Sequence, residues 1–141
     1  MEKTIFVNLP VADVERSIAF YEAIGCKQNH HFSQPREVAA MTWSSAIHFM
    51  LLSRERFKGF IPEDRSVSDT KATRGALLCL DFESREAVDR VVEAAAGAGG
   101  AIDGRAAQDH GFMYGRTFDD PDGHGFEAMW MSPEAIPEGT G

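Results

Sequence analysis

Apolar and polar residues alternate from Lys3 to Leu9, with Ile5, Val7 and Leu9 on one side and Phe6 and Asn8 on the other, which predicts a β-strand. Pro10 has no N–H to give to a ladder and is expected to end it. The period then lengthens. Val14, Ile18 and Tyr21 recur at helical spacing behind Asp13, whose side chain can cap a helix, and Gly25 supplies the stop. Cys26 to Phe32, Glu37 to Trp43 and Ala46 to Leu52 read as three extended segments, the last two joined by a turn at Ser44-Ser45.

From Ser53 to Arg74 the chain is charged and weakly patterned, with Phe57, Phe60 and Ile61 as its large apolar residues, so it reads as a connector with room for one helical turn. The first order of elements then returns. Gly75 to Phe82 is a strand, and Ser84 to Ala98 a helix with Val88, Val91, Val92 and Ala95 on one face. Gly99-Gly100 is its stop. Three more extended pieces follow, at Ala101 to Ala106, Phe112 to Phe118 and His124 to Met131, the last behind the turn Asp119-Asp120-Pro121-Asp122-Gly123. The pattern predicts an α+β fold of two βαβββ modules, about residues 1–53 and 75–132, forming an open sheet around a cavity. Self-similarity at a fixed separation is the mark of internal duplication. Order alone also fits a ferredoxin-like sandwich pair or an unrelated α+β domain.

A length of 141 residues suits one domain, 1–141, with a core of its own. The formal net charge of −8 opposes nucleic-acid binding, because neutralising phosphates takes a basic surface and the 14 basic residues form no cluster. No apolar stretch approaches the roughly 18 residues of a membrane span, and Met1-Glu2-Lys3-Thr4 lacks the plan of a signal peptide, so the expected location is the cytoplasm. Cys26 and Cys79 have no CxxC spacing and are expected to be buried, reduced thiols.

Two segments carry a resemblance. Asp13, Ser17, Phe20, Tyr21 and Gly25 fall on a D-x-x-x-S-x-x-F-Y-x-x-x-G pattern, and Asp120-Pro121-Asp122-Gly123 with Glu127 on a closing D-P-D-G-x-x-x-E turn and strand. In both, and in their order, the chain resembles the vicinal-oxygen-chelate superfamily of glyoxalases, bleomycin-resistance proteins and extradiol dioxygenases. Ile5 to Pro10 and Gly111 to Arg116 look like its glyoxalase-like branch, often labelled lactoylglutathione lyase on similarity alone.

The resemblance implies a divalent metal held by four side chains, one from the first and one from the last strand of each module. Such an ion polarises a carbonyl or activates oxygen and leaves positions open for substrate. Here those positions fall on Phe6, Met50, Leu77 and Glu127. Two are hydrocarbon and one is a thioether, a poor partner for hard ions, so no metal and no other cofactor is expected. Alternation puts Asn8, His48 and Cys79 on the same faces. A displaced His48, Cys79 and Glu127 cluster is conceivable, but a shift of two residues moves a ligand by about 7 Å.

Glu127 is the candidate catalytic residue, as general base or polar anchor in an otherwise apolar pocket, against the plainer reading of a vestige. Asn8 and His48 are its companions, able to orient or exchange protons with a carbonyl, although a lone histidine on an apolar strand is more often a satisfied core residue. Tyr114 and Trp130 can line a ligand pocket, with core packing or a dimer contact as the commoner use. Arg116 can meet an acidic substrate group or pair with Asp119 or Asp120 across the turn. His30-His31 reads as a rim segment. The expected partners are a small organic ligand and a second copy of the chain. The competing functions are metal-independent binding with Glu127-assisted proton transfer, a metal-dependent lyase of the lactoylglutathione type, and sequestration of a drug or metabolite.

Overall fold

The computed structural model describes residues 1–135; the last six residues of the expected 1–141 domain lie outside the described residues. The first module runs β1 (Ile5–Val11), α1 (Val14–Ala23), β2 (Lys27–Gln34), β3 (Val38–Thr42) and β4 (Ile47–Ser53). After α2 (Arg54–Lys58), the second runs β5 (Leu77–Asp81), α3 (Arg85–Gly97), β6 (Ala101–Ile102), β7 (Gln108–Asp109), β8 (Met113–Asp119) and β9 (Gly125–Met131). Each makes a mixed sheet, ordered β1-β4-β3-β2 and β5-β9-β8-β6, with β7 on the edge of β8. In both, the first strand runs parallel to the last. The fold is α+β, as the pattern predicts.

The helices start where the sequence places their caps. Asp13 accepts the Arg16 N–H and Ser84 accepts the Ala87 N–H, satisfying N–H groups that the first turn leaves unpaired. Gly25 ends the first helical segment at φ +117°, a conformation that costs glycine little. α1 buries Val14, Ser17, Phe20 and Tyr21, and α3 buries Ala87, Val88, Val91, Val92 and Ala95. Both helices pack into a single apolar core with Met41, Phe49 and Leu51 of the first sheet and Phe118, Phe126 and Ala128 of the second. Each large side chain buried there stabilises by about 1.5–3 kcal/mol.

Three local expectations are corrected. Pro10 does not end β1, which continues to Val11 with Pro10 opposite Leu52. β1 is an outer strand, and the Pro10 carbonyl points away from β4 to accept His124 Nε2 at 2.7 Å, so the N–H that proline lacks is not wanted by the ladder. The strand expected at Ala101 to Ala106 shrinks to Ala101–Ile102, because Asp103 turns the chain at φ +53°. Cys26 is buried, but Cys79 is exposed, on a sheet face that no helix covers.

Candidate functional site

Residues opposite one another on neighbouring strands point to the same side, so the register fixes what each sheet presents. In the first sheet, Phe6 stands opposite His48 and His48 opposite Thr42; one step along, Asn8, Met50 and Ala40 share a row. In the second, Leu77, Gly125 and Asp119 form one row and Cys79, Glu127 and Thr117 the next. These rows alternate with Phe49, Leu51, Phe126 and Ala128, which face the helices, and therefore look away from the core. Phe6 and Leu77 are each 56% exposed, an unusual degree for side chains of this size, which marks an uncovered face. The registers also equate the modules: Phe6 corresponds to Leu77, Asn8 to Cys79 and Met50 to Glu127.

Glu127 is half-buried. The Cys79 thiol donates to Glu127 Oε1 at 3.6 Å, which corrects the expectation of a buried carboxylate in an otherwise apolar pocket. Burial, then the Glu127 charge beside it, pushes the Cys79 thiol up to about 11, so sulfur stays protonated at neutral pH. His48 stacks on Phe6 with ring centroids 4.8 Å apart. Its Nε2 donates to the Ser45 carbonyl and its Nδ1 accepts from the Thr42 hydroxyl, both at 3.3 Å, which is the satisfied-histidine arrangement. Asn8 is exposed in the row of Met50. His30 and His31 lie exposed on β2.

The donor set does not fit a divalent metal. Two hydrocarbon side chains, a thioether and one carboxylate cannot replace the water shell of a hard ion. Among the described residues no group of three His, Cys, Asp or Glu side chains is placed to hold an ion, so His48, Cys79 and Glu127 do not assemble into a substitute.

Tyr114, Arg116 and Trp130 are on the other side of the second sheet. Tyr114 pairs with Trp130 and Arg116 with Ala128, facing α3. The Arg85 guanidinium lies 5.1 Å from the Tyr114 ring centroid and 5.3 Å from that of Trp130, and the Tyr114 hydroxyl donates to Asp89 at 2.7 Å. The expected pairing of Arg116 with Asp119 or Asp120 is replaced: Arg116 binds Asp89 at 2.9 Å, Asp103 at 2.7 Å and Glu93 at 3.3 Å. Those acids lie on α3 and after β6, brought near by packing rather than by the turn.

Two hollows lie near the open faces. One of about 330 Å³ is lined by Arg74, Leu77, Ala101, Arg105, Thr117 and Asp119, and another of about 190 Å³ by Leu9, Pro10, Phe57, Thr70, Arg74 and His124 among others. Glu127 itself lines neither. Arg74, at the end of the connector, separates them and gives two hydrogen bonds to Asp119, at 3.0 and 3.1 Å. Sequence reasoning did not single out Arg74, Arg105 or Thr117. The available signal was Gly125, a strand residue without a side chain, which marks a close approach from another group.

Residues 3–44 match a family model described as bleomycin resistance protein-like N-terminal. Among solved structures, the chain is similar to a glyoxalase/bleomycin resistance protein/dioxygenase family enzyme from Burkholderia phytofirmans PsJN. Identity is 20%, coverage is 89% of this chain and 96% of that one, and the TM-score is 0.74. The fold is that of the vicinal-oxygen-chelate superfamily. A glyoxalase-related enzyme from Fulvimarina pelagi shares this fold at 19% identity, with 99% and 94% of the two chains covered and a TM-score of 0.75. A hypothetical protein from S. aureus is 26% identical over 92% of this chain and 94% of its own, with a TM-score of 0.74. No curated protein matches. Within the vicinal-oxygen-chelate fold, the open faces of the two sheets are where Phe6, Met50, Leu77 and Glu127 stand.

Proposed function

We propose that this chain binds a small, partly apolar organic molecule against the open faces of its sheets, without the usual four-ligand divalent centre, and that Glu127 is the polar group that meets it. The observation that carries this reading is the register itself. Of the four corresponding positions, Glu127 alone bears a charged oxygen, while Phe6, Met50 and Leu77 offer apolar surface. Ligand sites are mostly apolar with a few placed polar groups, and this face has that composition. Where the bound molecule carries an acidic C–H or O–H, the Glu127 carboxylate is the base beside it, with the Cys79 S–H as its existing donor. Asn8 adds an amide that can orient a carbonyl. Elemental analysis tests the reading. Less than one equivalent of nickel, zinc, iron or manganese is expected, together with an organic molecule retained in native mass spectrometry. One-to-one metal that is lost in Glu127→Ala would overturn it in favour of a lactoylglutathione-lyase type of chemistry.

Sequestration without turnover is the second reading, favoured by the bleomycin-resistance-like match over residues 3–44 and by the net charge of −8, which attracts a cationic drug. A ligand recovered chemically unchanged after prolonged incubation separates it from catalysis. In either case a second copy of the chain covers the exposed Ile5, Phe6 and Leu77, since apolar side chains exposed at this level favour association. Light scattering at micromolar concentration is expected to give the mass of a homodimer.

A further inference from the structure

We propose that the hollow bounded by Leu77, Ala101 and Arg74 is an anion subsite that receives the carboxylate end of the bound molecule, with Arg105 as its charged anchor and Thr117 as its hydroxyl partner. The proposal rests on the small-molecule reading above and specifies the ligand as a monocarboxylate with an apolar frame.

Arg74 forms one wall of the hollow, and its position has a structural cause. Leu77, Gly125, Asp119 and Ala101 stand in one row across β5, β9, β8 and β6, and Gly125 is the gap in that row. The guanidinium of Arg74 lies over the gap, where a Cβ on Gly125 would collide with its Nη1. Arg74 also donates to the Gly123 carbonyl and to both oxygens of Asp119. Asp119 and Arg74 therefore neutralise each other inside the lining. The remaining charge is that of Arg105. Ion pairs among the described residues engage Arg16, Arg56, Arg74, Arg85 and Arg116, and leave Arg105 free at the wall of the hollow.

Thr117 supplies an independent sign. Its Oγ1 is buried and has no hydrogen-bond partner among the described residues, although Thr117 lines the same hollow. Leaving a buried hydroxyl unsatisfied is costly, and one χ1 step exchanges its position with that of the methyl, turning it into the hollow. An acceptor seated in the hollow satisfies it. One free guanidinium and one free hydroxyl match a singly charged carboxylate, which accepts from both. A doubly charged phosphate leaves one charge uncompensated in a protein whose net charge is already −8. Leu77 and Ala101 give the hollow its apolar wall. Thr117 stands directly across from Glu127, and opposed Cβ atoms lie about 4.5–5.5 Å apart, so a molecule held by its carboxylate at Arg105 extends its frame past Glu127.

The test is an NMR titration of the full isotope-labelled chain with benzoate, benzamide and 1-hexanol. Benzoate is expected to shift the amides of Leu77, Ala101 and Thr117, and benzamide, its neutral counterpart, to bind at least about tenfold more weakly, the factor that a charge-assisted hydrogen bond carries. Arg105→Gln is expected to weaken benzoate by about the same factor and to leave 1-hexanol unaffected, and Thr117→Val to weaken benzoate about threefold. Equal affinity for benzoate and benzamide, or unchanged benzoate binding in Arg105→Gln, overturns the subsite. If 1-hexanol shifts the methyl of Met50 while benzoate shifts nothing near Thr117, the subsite fails and the small-molecule reading stands. If Arg105→Gln abolishes benzoate binding while no probe responds to Glu127→Gln, the subsite stands and the role given to Glu127 fails.

Discussion

The phenol of Tyr21 on α1 donates to Oδ2 of Asp120, 99 residues further along the chain, at 2.8 Å in the buried centre of the molecule. This bond joins the two segments that carry the family resemblance. Around it, the Ala12 N–H donates to Asp122 at 2.9 Å, Arg16 and Ser17 approach the same carboxylate at 3.5 Å, and His124 donates to the Pro10 carbonyl. Asp120 also accepts from the N–H groups of Asp122 and His124, both at 2.9 Å, which holds its own turn closed. The signature residues thus clasp one module to the other. Ser17, Tyr21, Asp120 and Asp122 specify how the halves meet, whereas Glu127, from the same closing pattern, stands on the open face.

Removing the Tyr21 hydroxyl leaves Asp120 buried with one donor fewer. Tyr21→Phe is expected to lower stability by about 1–3 kcal/mol in urea denaturation, the cost of an unsatisfied buried polar group, with ligand binding unchanged. A variant as stable as the parent would show that the clasp does not depend on this bond.

Burial, which outweighs the hydrogen bonds and the neighbouring His124, pushes the Asp120 carboxyl above its ordinary value. A carboxyl with a raised native pKa binds its proton more readily folded than unfolded. Its contribution to stability is therefore largest below the ordinary carboxylate value and declines as pH rises through the raised one. Thermal denaturation against pH is expected to show that decline, and Asp120→Asn to remove it.

Gly123 adopts φ +89° with the Thr70 carbonyl 2.5 Å from where a Cβ would stand. Gly123→Ala meets backbone strain and a backbone clash together and is expected to cost about 2 kcal/mol or more. Gly125→Ala meets the guanidinium of Arg74 rather than backbone, so the loss expected from calorimetry is smaller, about 1 kcal/mol, for displacing its bonds to Gly123 and Asp119.

Arg116 is 13% exposed and holds Asp89, Glu93 and Asp103 together. The Tyr114 hydroxyl, then the Arg116 guanidinium, draw Asp89 below its ordinary value, and Arg116 does the same to Asp103. Lowered carboxylates stabilise above the unfolded value, and that contribution is lost as pH falls through the folded one. Arg116→Met is expected to destabilise by about 1–2 kcal/mol at neutral pH, since three acids lose their shared cation, and to lose less than the parent on acidification. Urea midpoints at two pH values check both.

The charge of Glu127, second to burial, helps hold the Cys79 thiol up at about 11. Alkylation of Cys79 by iodoacetamide is expected to be slow at neutral pH and to speed up toward that value, and Glu127→Gln to move the profile to lower pH. Buried Cys26, with its thiol pushed up to about 12, is the internal control that stays unlabelled in the folded protein. The same Glu127→Gln variant is expected to fold with unchanged or higher thermal stability and to bind its ligand more weakly; unchanged stability together with unchanged affinity would set the cavity reading of Glu127 aside.

The alternation around Val7 and the helical spacing of Val14, Ile18 and Tyr21 determine elements locally, because a period of two or of 3.6 follows from backbone geometry whatever surrounds it. Alternation also sets which residues share a face, and so puts Phe6 with Asn8, and Cys79 with Leu77, whatever the fold around them. Partners across the molecule were not legible in this way. The sequence offers Arg116 the acids beside it in the turn, but it pairs instead with Asp89 and Asp103, because β8 packs under α3 and turns it away from Asp119. Tyr114 and Trp130 follow it to that face, since one register governs them all. The hollow beside Arg74 is equally hidden: Arg74, at the end of an unpatterned connector, comes to lie across Gly125, 51 residues later, and there joins Arg105 and Thr117 in one lining. Sequence period reports the direction in which a side chain points, whereas its neighbour depends on loop closure and on the packing of two modules, which only the assembled tertiary structure decides.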